Sequence, residues 1–139
     1  MYDRPTAAEL IDAVRGHLEN HVVPAVKGDG KLYFQTLVAI NVLRVVEREL
    51  KLAPDHAQSE WARLDHLEGA MDVPNNARLI FSILHERNTQ LCDNIRAGRY
   101  DGERKIALFE HLMATTIEQL QVANPKYLQT LAQEDGVSS

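Results

Sequence analysis

Asn41, Arg48 and Glu49 fall within one strongly apolar segment, and Arg87 sits in the middle of another. A buried amide without partners costs on the order of 1–3 kcal/mol. A guanidinium on an apolar stripe is rarely tolerated unpaired. These residue types point to a polar cluster between two helices, with Glu49 as the expected partner of Arg87 or Arg48. Two chemistries fit. One is a structural ion pair that fixes helix register. The other is a pocket for a small anionic ligand, with an arginine fork as the binding group.

His17 and His21 are the second group with chemical potential. Four residues apart on a helix, two imidazoles can reach one metal ion. The residues between them do not make a zinc-protease motif, and a third ligand would have to come from His56, His66, His85 or His111. No histidine has a glutamate three positions before it, which argues against a di-iron bundle. Two surface histidines near a helix end are the plainer expectation, and no metal or cofactor is expected. Gly28-Asp29-Gly30-Lys31 lacks the spacing of a phosphate loop and reads as a turn. Ser82 and His85 lie one turn apart without the strained turn a nucleophile uses. Cys92 reads as a semi-buried thiol. The balance leans away from an enzyme.

The elements that must position these groups are helices. From Lys31 to Leu52, apolar residues recur on two opposite sides at about 100° per residue. Phe34, Leu37, Val38, Asn41, Val45, Arg48 and Leu52 share one side, and Leu32, Ala39, Leu43, Val46 and Leu50 the other. Arg44, Glu47 and Lys51 make a narrow polar strip. A helix of this kind is expected to be the covered centre of a bundle. Thr6 and Glu9 form a capping-box pair for a first helix to about Val22, with Ala7, Leu10, Ile11, Val14, Leu18 and Val22 inward.

The prolines are expected between helices or in their first turns. Asp55 is expected to cap a short third helix that carries Trp61, Leu64 and Leu67 and stops at Gly69. A fourth helix is expected from Asn75 or Asn76 to Gly98, with Ile80, Ile83, Leu84, Arg87, Leu91 and Ile95 inward. A fifth should open at Asp101, with Ile106, Phe109, Met113, Thr116, Ile117 and Leu120 inward. A short helix from Asn124-Pro125 to about Leu131 precedes an expected frayed tail over residues 133–139. The expected fold is therefore all-α, a single-domain bundle of about five helices around residues 31–52, with the bundle over residues 1–132.

Composition narrows the partners. The 139 residues suit one domain and need no disulfide staples. A formal charge of −5 argues against nucleic acid. No apolar run reaches the roughly 20 residues a membrane helix needs, and the N-terminus opens no secretory signal. One cysteine suits a reducing compartment.

Arg4-Pro5-Thr6-Ala7-Ala8-Glu9-Leu10, Asn41 followed by Arg48-Glu49-Leu50, Ile95-Arg96-Ala97-Gly98, and Asn124-Pro125-Lys126-Tyr127-Leu128 resemble one family in order and spacing. It is a small all-helical bacterial domain-of-unknown-function family, often encoded near aminoglycoside-phosphotransferase-like kinases and acyl-CoA dehydrogenases. The resemblance implies a cytoplasmic bacterial protein and a partner enzyme, and it carries over no established activity. Three readings follow. The first is a non-catalytic accessory protein beside an acyl-CoA-metabolising or kinase-like enzyme. The second is an anionic-ligand-binding domain using Asn41, Arg48, Glu49 and Arg87. The third is a metal-dependent enzyme using His17 and His21. A homodimer is expected, because five helices of these lengths do not cover both apolar sides of the central one.

Overall fold

Thr6 begins the first helix as its spacing requires. Its hydroxyl accepts from the Glu9 amide at 3.2 Å, and the Glu9 carboxylate accepts from the Thr6 amide at 2.8 Å. A computed structural model of the chain describes residues 3–137, and every regular element in that range is helical. The elements are α1 (Ala7–His17), a π-helical stretch (Leu18–Val22), α2 (Val23–Val26), α3 (Gly30–Glu68), α4 (Ala77–Arg96), α5 (Lys105–Ala123) and α6 (Pro125–Val137). The all-α helical bundle expected from the periodicity is the fold. Among the described residues, no helix is long and apolar enough to cross a membrane.

Pro24 explains the π-helical stretch. It has no amide hydrogen for the carbonyl four residues earlier. One wider turn absorbs the mismatch, and the Val23 amide donates to the Leu18 carbonyl, five residues back. Asp29 starts α3, its carboxylate accepting from the Leu32 amide at 3.1 Å. The Gly28–Lys31 segment is thus a turn and a cap.

The central helix does not stop at Leu52. α3 continues to Glu68 with Pro54 inside it, so Asp55 caps no separate helix. Proline in a helix interior removes one backbone bond and costs about 3 kcal/mol. Ala57, Trp61, Leu64 and Leu67 follow at helical spacing and are all buried, and that burial outweighs the lost bond. α3 ends where expected, at Gly69, whose φ of 101° suits a residue without Cβ.

The chain clusters into two compact units. One comprises the residues up to Ala53 together with those from Leu120 onward. The other is Pro54–Gln119.

In the first unit, α3 packs by the side that carries its polar strip, and the apolar side expected to be covered is exposed. Thr36, Ile40 and Glu47 are buried, whereas Phe34 is 66% exposed, and Leu37, Val38 and Val42 are exposed with it. Charge sets that phase. Arg15 of α1 donates to Glu47 at 3.2 Å and to Glu19 at 3.2 Å, and also pairs with Asp12. Arg44 reaches Glu19 at 2.6 Å, and Lys51 reaches Glu47 at 2.9 Å. Lys51 and then Arg15 hold the Glu47 carboxyl below its ordinary range against the opposing effect of burial. Leu10 and Val14 of α1, expected inward, are also exposed. α6 runs to Val137, beyond the expected end near Leu131. Ala132, Gln133 and Glu134 are sound helix formers that continue it.

The second unit holds the main core: Ala57, Trp61, Leu64, Leu67, Leu84, Leu91, Tyr100 and Leu108, flanked by Ile80, Ile83 and Ile95. Asn76 caps α4 through the Arg78 and Leu79 amides at 2.9 and 3.3 Å. Arg104 stacks over the Tyr100 ring at 4.4 Å and donates to the Leu67 carbonyl, which also accepts from the Tyr100 hydroxyl at 3.2 Å. Burial and then Glu68 push the Tyr100 phenol up. α5 starts at Lys105 rather than Asp101, and its phase is reversed. Leu108 and His111 are buried, while Ile106 (73%), Phe109 (61%), Met113 and Ile117 face solvent. Cys92 is exposed rather than semi-buried.

Candidate functional site

Arg87 is the sequence candidate that the fold buries, with a different partner from the one expected. Arg87 shares the inward side of α4 with Leu84 and Leu91, where it is 7% exposed. Its NH1 donates to Asp65 Oδ1 at 2.8 Å and its NH2 to the Gly69 carbonyl at 2.9 Å. Its guanidinium carbon lies 5.2 Å from the centre of the Trp61 ring, within cation–π range. The partner is therefore Asp65 and not Glu49. The reason is the continuous α3, which carries Asp65 and its own C-terminal carbonyls to α4. A cation at that helix end also meets the negative end of the backbone dipole. A cleft of about 230 Å³, lined by Glu68, Gly69, Ala70, Met71, Arg87 and Gln90, opens beside it. With one carboxylate, one carbonyl and one indole face already on the guanidinium, little is left to take an anion.

The other candidates belong to the first unit. Asn41 and Glu49 are exposed on α3, and half-buried Arg48 donates to the Val122 carbonyl at 2.7 Å. Arg48 thus fastens the end of α5 to α3 within the first unit. His17 and His21 are exposed, with ring centres 5.5 Å apart and tilted by 37°. No group of three or more His, Cys, Asp or Glu side chains able to hold a metal occurs among the described residues.

A denser polar cluster lies on the inward side of α5. Arg63 Nε donates to His111 Nδ1 at 3.1 Å, its NH1 and NH2 grip Glu118 at 2.7 and 2.9 Å, and NH2 also reaches Thr115 Oγ1 at 3.3 Å. Because Nδ1 accepts, the neutral imidazole carries its proton on Nε2. A cleft of about 320 Å³ lined by Arg63, His66, Glu110 and His111 adjoins it. Sequence reasoning missed this cluster, although His111, Thr115 and Glu118 recur at i, i+4 and i+7. That polar stripe was a usable signal. Asn94, buried on α4 and donating to both Glu68 carboxylate oxygens at 2.9 Å, was missed as well.

Burial, and next the Arg63 cation, hold His111 below the usual imidazole value of 6.5, opposed by Glu60 and Glu118. The folded chain then binds a proton less readily than the unfolded chain. The stability His111 contributes is complete above about pH 6.5 and is lost as pH falls. Urea midpoints should accordingly drop between pH 7.5 and 5. His111→Asn keeps an acceptor for Arg63 and removes the titration, so it should flatten that drop. An equally steep drop in the variant would assign it to other groups.

The Arg87 and His111 clusters both tie α3 to neighbouring helices through cations that are already neutralised. Neither presents a nucleophile beside a base or a free cation aimed into a cavity. A pocket of about 510 Å³ is instead an apolar groove beside Trp61.

No curated protein and no solved structure matches the chain. One family model, described as Domain of unknown function (DUF6285), matches residues 24–127. The match takes in the Arg48-Glu49-Leu50 and Ile95–Gly98 segments and ends at Tyr127, within the Asn124–Leu128 segment; Arg4–Leu10 lies before it. Covering most of the sequence, this match assigns the family: the chain belongs to DUF6285, a domain family of unknown function.

Proposed function

We propose that this chain is a non-catalytic interaction protein that works as a homodimer. The observation that supports this reading is the outward phase of α5. Ile106, Phe109, Met113 and Ile117 recur at i, i+3, i+7 and i+11, so their exposed side chains make one continuous stripe. Apolar surface of that continuity on a helix is uncommon on a monomer and marks a contact surface. A two-fold pairing of this stripe with itself is the simplest closed arrangement.

A second exposed stripe, Phe34, Leu37, Val38 and Val42 on α3, then serves another protein. In this reading the chain acts in the bacterial cytoplasm beside an acyl-CoA-metabolising or kinase-like enzyme. The anionic-ligand and metal-enzyme readings receive less support, since the Arg87 charge is already paired with Asp65 and the two histidines are exposed.

Light scattering on a sizing column at micromolar concentration tests the dimer. The expected mass is twice that of the chain. Phe109→Glu with Met113→Glu should weaken association at least a hundredfold and give a monomer. Phe34→Glu with Leu37→Glu should leave the dimer intact. A monomeric parent chain, or a dimer untouched by the α5 changes, refutes the assignment. Co-purification from the native host tests the second surface separately, and the α3 variant should lose whatever enzyme the parent retains.

A further inference from the structure

The groove of about 510 Å³ lies wholly within the second unit. Trp61, Val73, Ile80 and Phe81 give it apolar walls, and Gln58 and Asp65 supply its polar points. The volume falls in the ordinary range of small-molecule pockets, roughly 300–1,000 Å³, and such pockets pair an apolar lining with few polar groups.

Asp65 decides the ligand's chemistry. Its Oδ1 accepts from both Arg87 at 2.8 Å and the Met71 amide at 3.3 Å. Its Oδ2 has no partner among the described residues. Arg87 itself does not line the groove and is spent on Asp65 and Gly69. The groove therefore offers a hydrogen-bond acceptor on a carboxylate and no cation. An anion there would meet like charge and leave Oδ2 unsatisfied, whereas a hydroxyl or amine would satisfy it. The Trp61 and Phe81 rings favour an aromatic body, through ring contacts beyond simple area burial.

We propose that this groove binds a small aromatic molecule bearing a hydrogen-bond donor, its apolar body between Trp61 and Phe81 and its donor on Asp65 Oδ2. The selectivity is opposite in sign to the anion pocket that the isolated arginine suggests.

Trp61 is the single tryptophan, and its indole N–H donates to the Met71 carbonyl at 3.2 Å on the segment bordering the groove. Its one indole peak in a proton–nitrogen correlation spectrum reports occupancy directly. Three probes share one ring system: 2-naphthalenemethanol, 2-naphthalenemethylamine and 2-naphthoate. Titrated into the full chain, the alcohol and the amine should move the peak saturably at sub-millimolar concentration. The carboxylate should bind at least tenfold more weakly. Ala77→Phe, which places a ring in the groove from an exposed position, should abolish binding and leave the melting curve unchanged.

Four results overturn the proposal. They are no saturable shift with any probe, equal affinity for 2-naphthoate, unchanged affinity in the folded Ala77→Phe variant, and a peak shift that follows protein rather than probe concentration. The last would put a second copy of the chain in the groove.

Discussion

Replacing Arg87 by methionine should destabilise the Pro54–Gln119 unit by about 3 kcal/mol, although it puts an apolar side chain on an apolar stripe. The gain in apolar area is real but small beside what is stranded. Asp65 loses its counter-charge, the Gly69 carbonyl at the end of α3 loses its donor, and the Trp61 face loses its cation. Removing one member of a buried pair leaves the other's desolvation uncompensated, which is why truncation costs more than the pair contributes. Urea unfolding followed by Trp61 emission measures the loss.

The double variant Arg87→Met with Asp65→Leu should recover more than half of it, since no lone charge is then left behind. A single variant within 0.5 kcal/mol of the parent would show that the guanidinium is incidental to the fold. The same variant bears on binding. The groove proposed above draws nothing from Arg87 itself, so at temperatures where Arg87→Met is folded it should still take 2-naphthalenemethanol.

Leu64→Ala should cost as much or more, about 3–4 kcal/mol. Leu64 is 0% exposed and belongs to the cluster that contains Trp61, Leu84, Leu91, Tyr100 and Leu108. Tyr100 is held by its hydroxyl on Leu67 and by the Arg104 guanidinium across its ring, and Trp61 by its bond to Met71. Rings pinned in this way cannot collapse into a vacated volume, so the cavity persists and its full cost is felt. Leu79→Ala, at an exposed position of the same unit, should change stability by less than about 0.5 kcal/mol. Near-equal midpoints for the two variants would place the core elsewhere.

Much of the architecture is legible in the residues themselves. The Thr6–Glu9 cap, the Asn76 start of α4, the stop at Gly69 and the inward stripe of α4 follow from local chemistry, and local chemistry is what a sequence displays. What is not legible has one shared cause. Periodicity reports that a helix has an apolar side but not which neighbour that side meets. For α3 and α5 it suggests apolar packing, yet Arg15 draws Glu47 inward and Arg63 draws His111, Thr115 and Glu118 inward. The deciding contacts join residues 32 to 55 positions apart, beyond any local window. Pro54 misleads in the same manner, because the core residues that carry α3 through it lie downstream of the break. The site follows the fold. Arg87 is recognisable as a buried cation, but its partner depends on α3 reaching Asp65. The groove needs α3, α4 and the loop between them to be in place, so no linear motif announces it.

The Arg15–Glu47–Lys51 and Arg44–Glu19 contacts give the first unit a seam held largely by charge, while the exposed stripes on α3 and α5 are free of charge. Dissolved electrolyte acts on these in opposite senses. Mobile ions mask attraction most where a partner is exposed, as at Arg44 and Lys51, and less at the part-buried Arg15–Glu47 contact, whereas strongly hydrated anions drive oily surfaces together. A rise in ionic strength therefore loosens the hold of the π-helical stretch on α3 through Glu19 and Arg44 and at the same time promotes adhesion between molecules, so for this protein internal cohesion and assembly are set against each other by the composition of the surrounding medium.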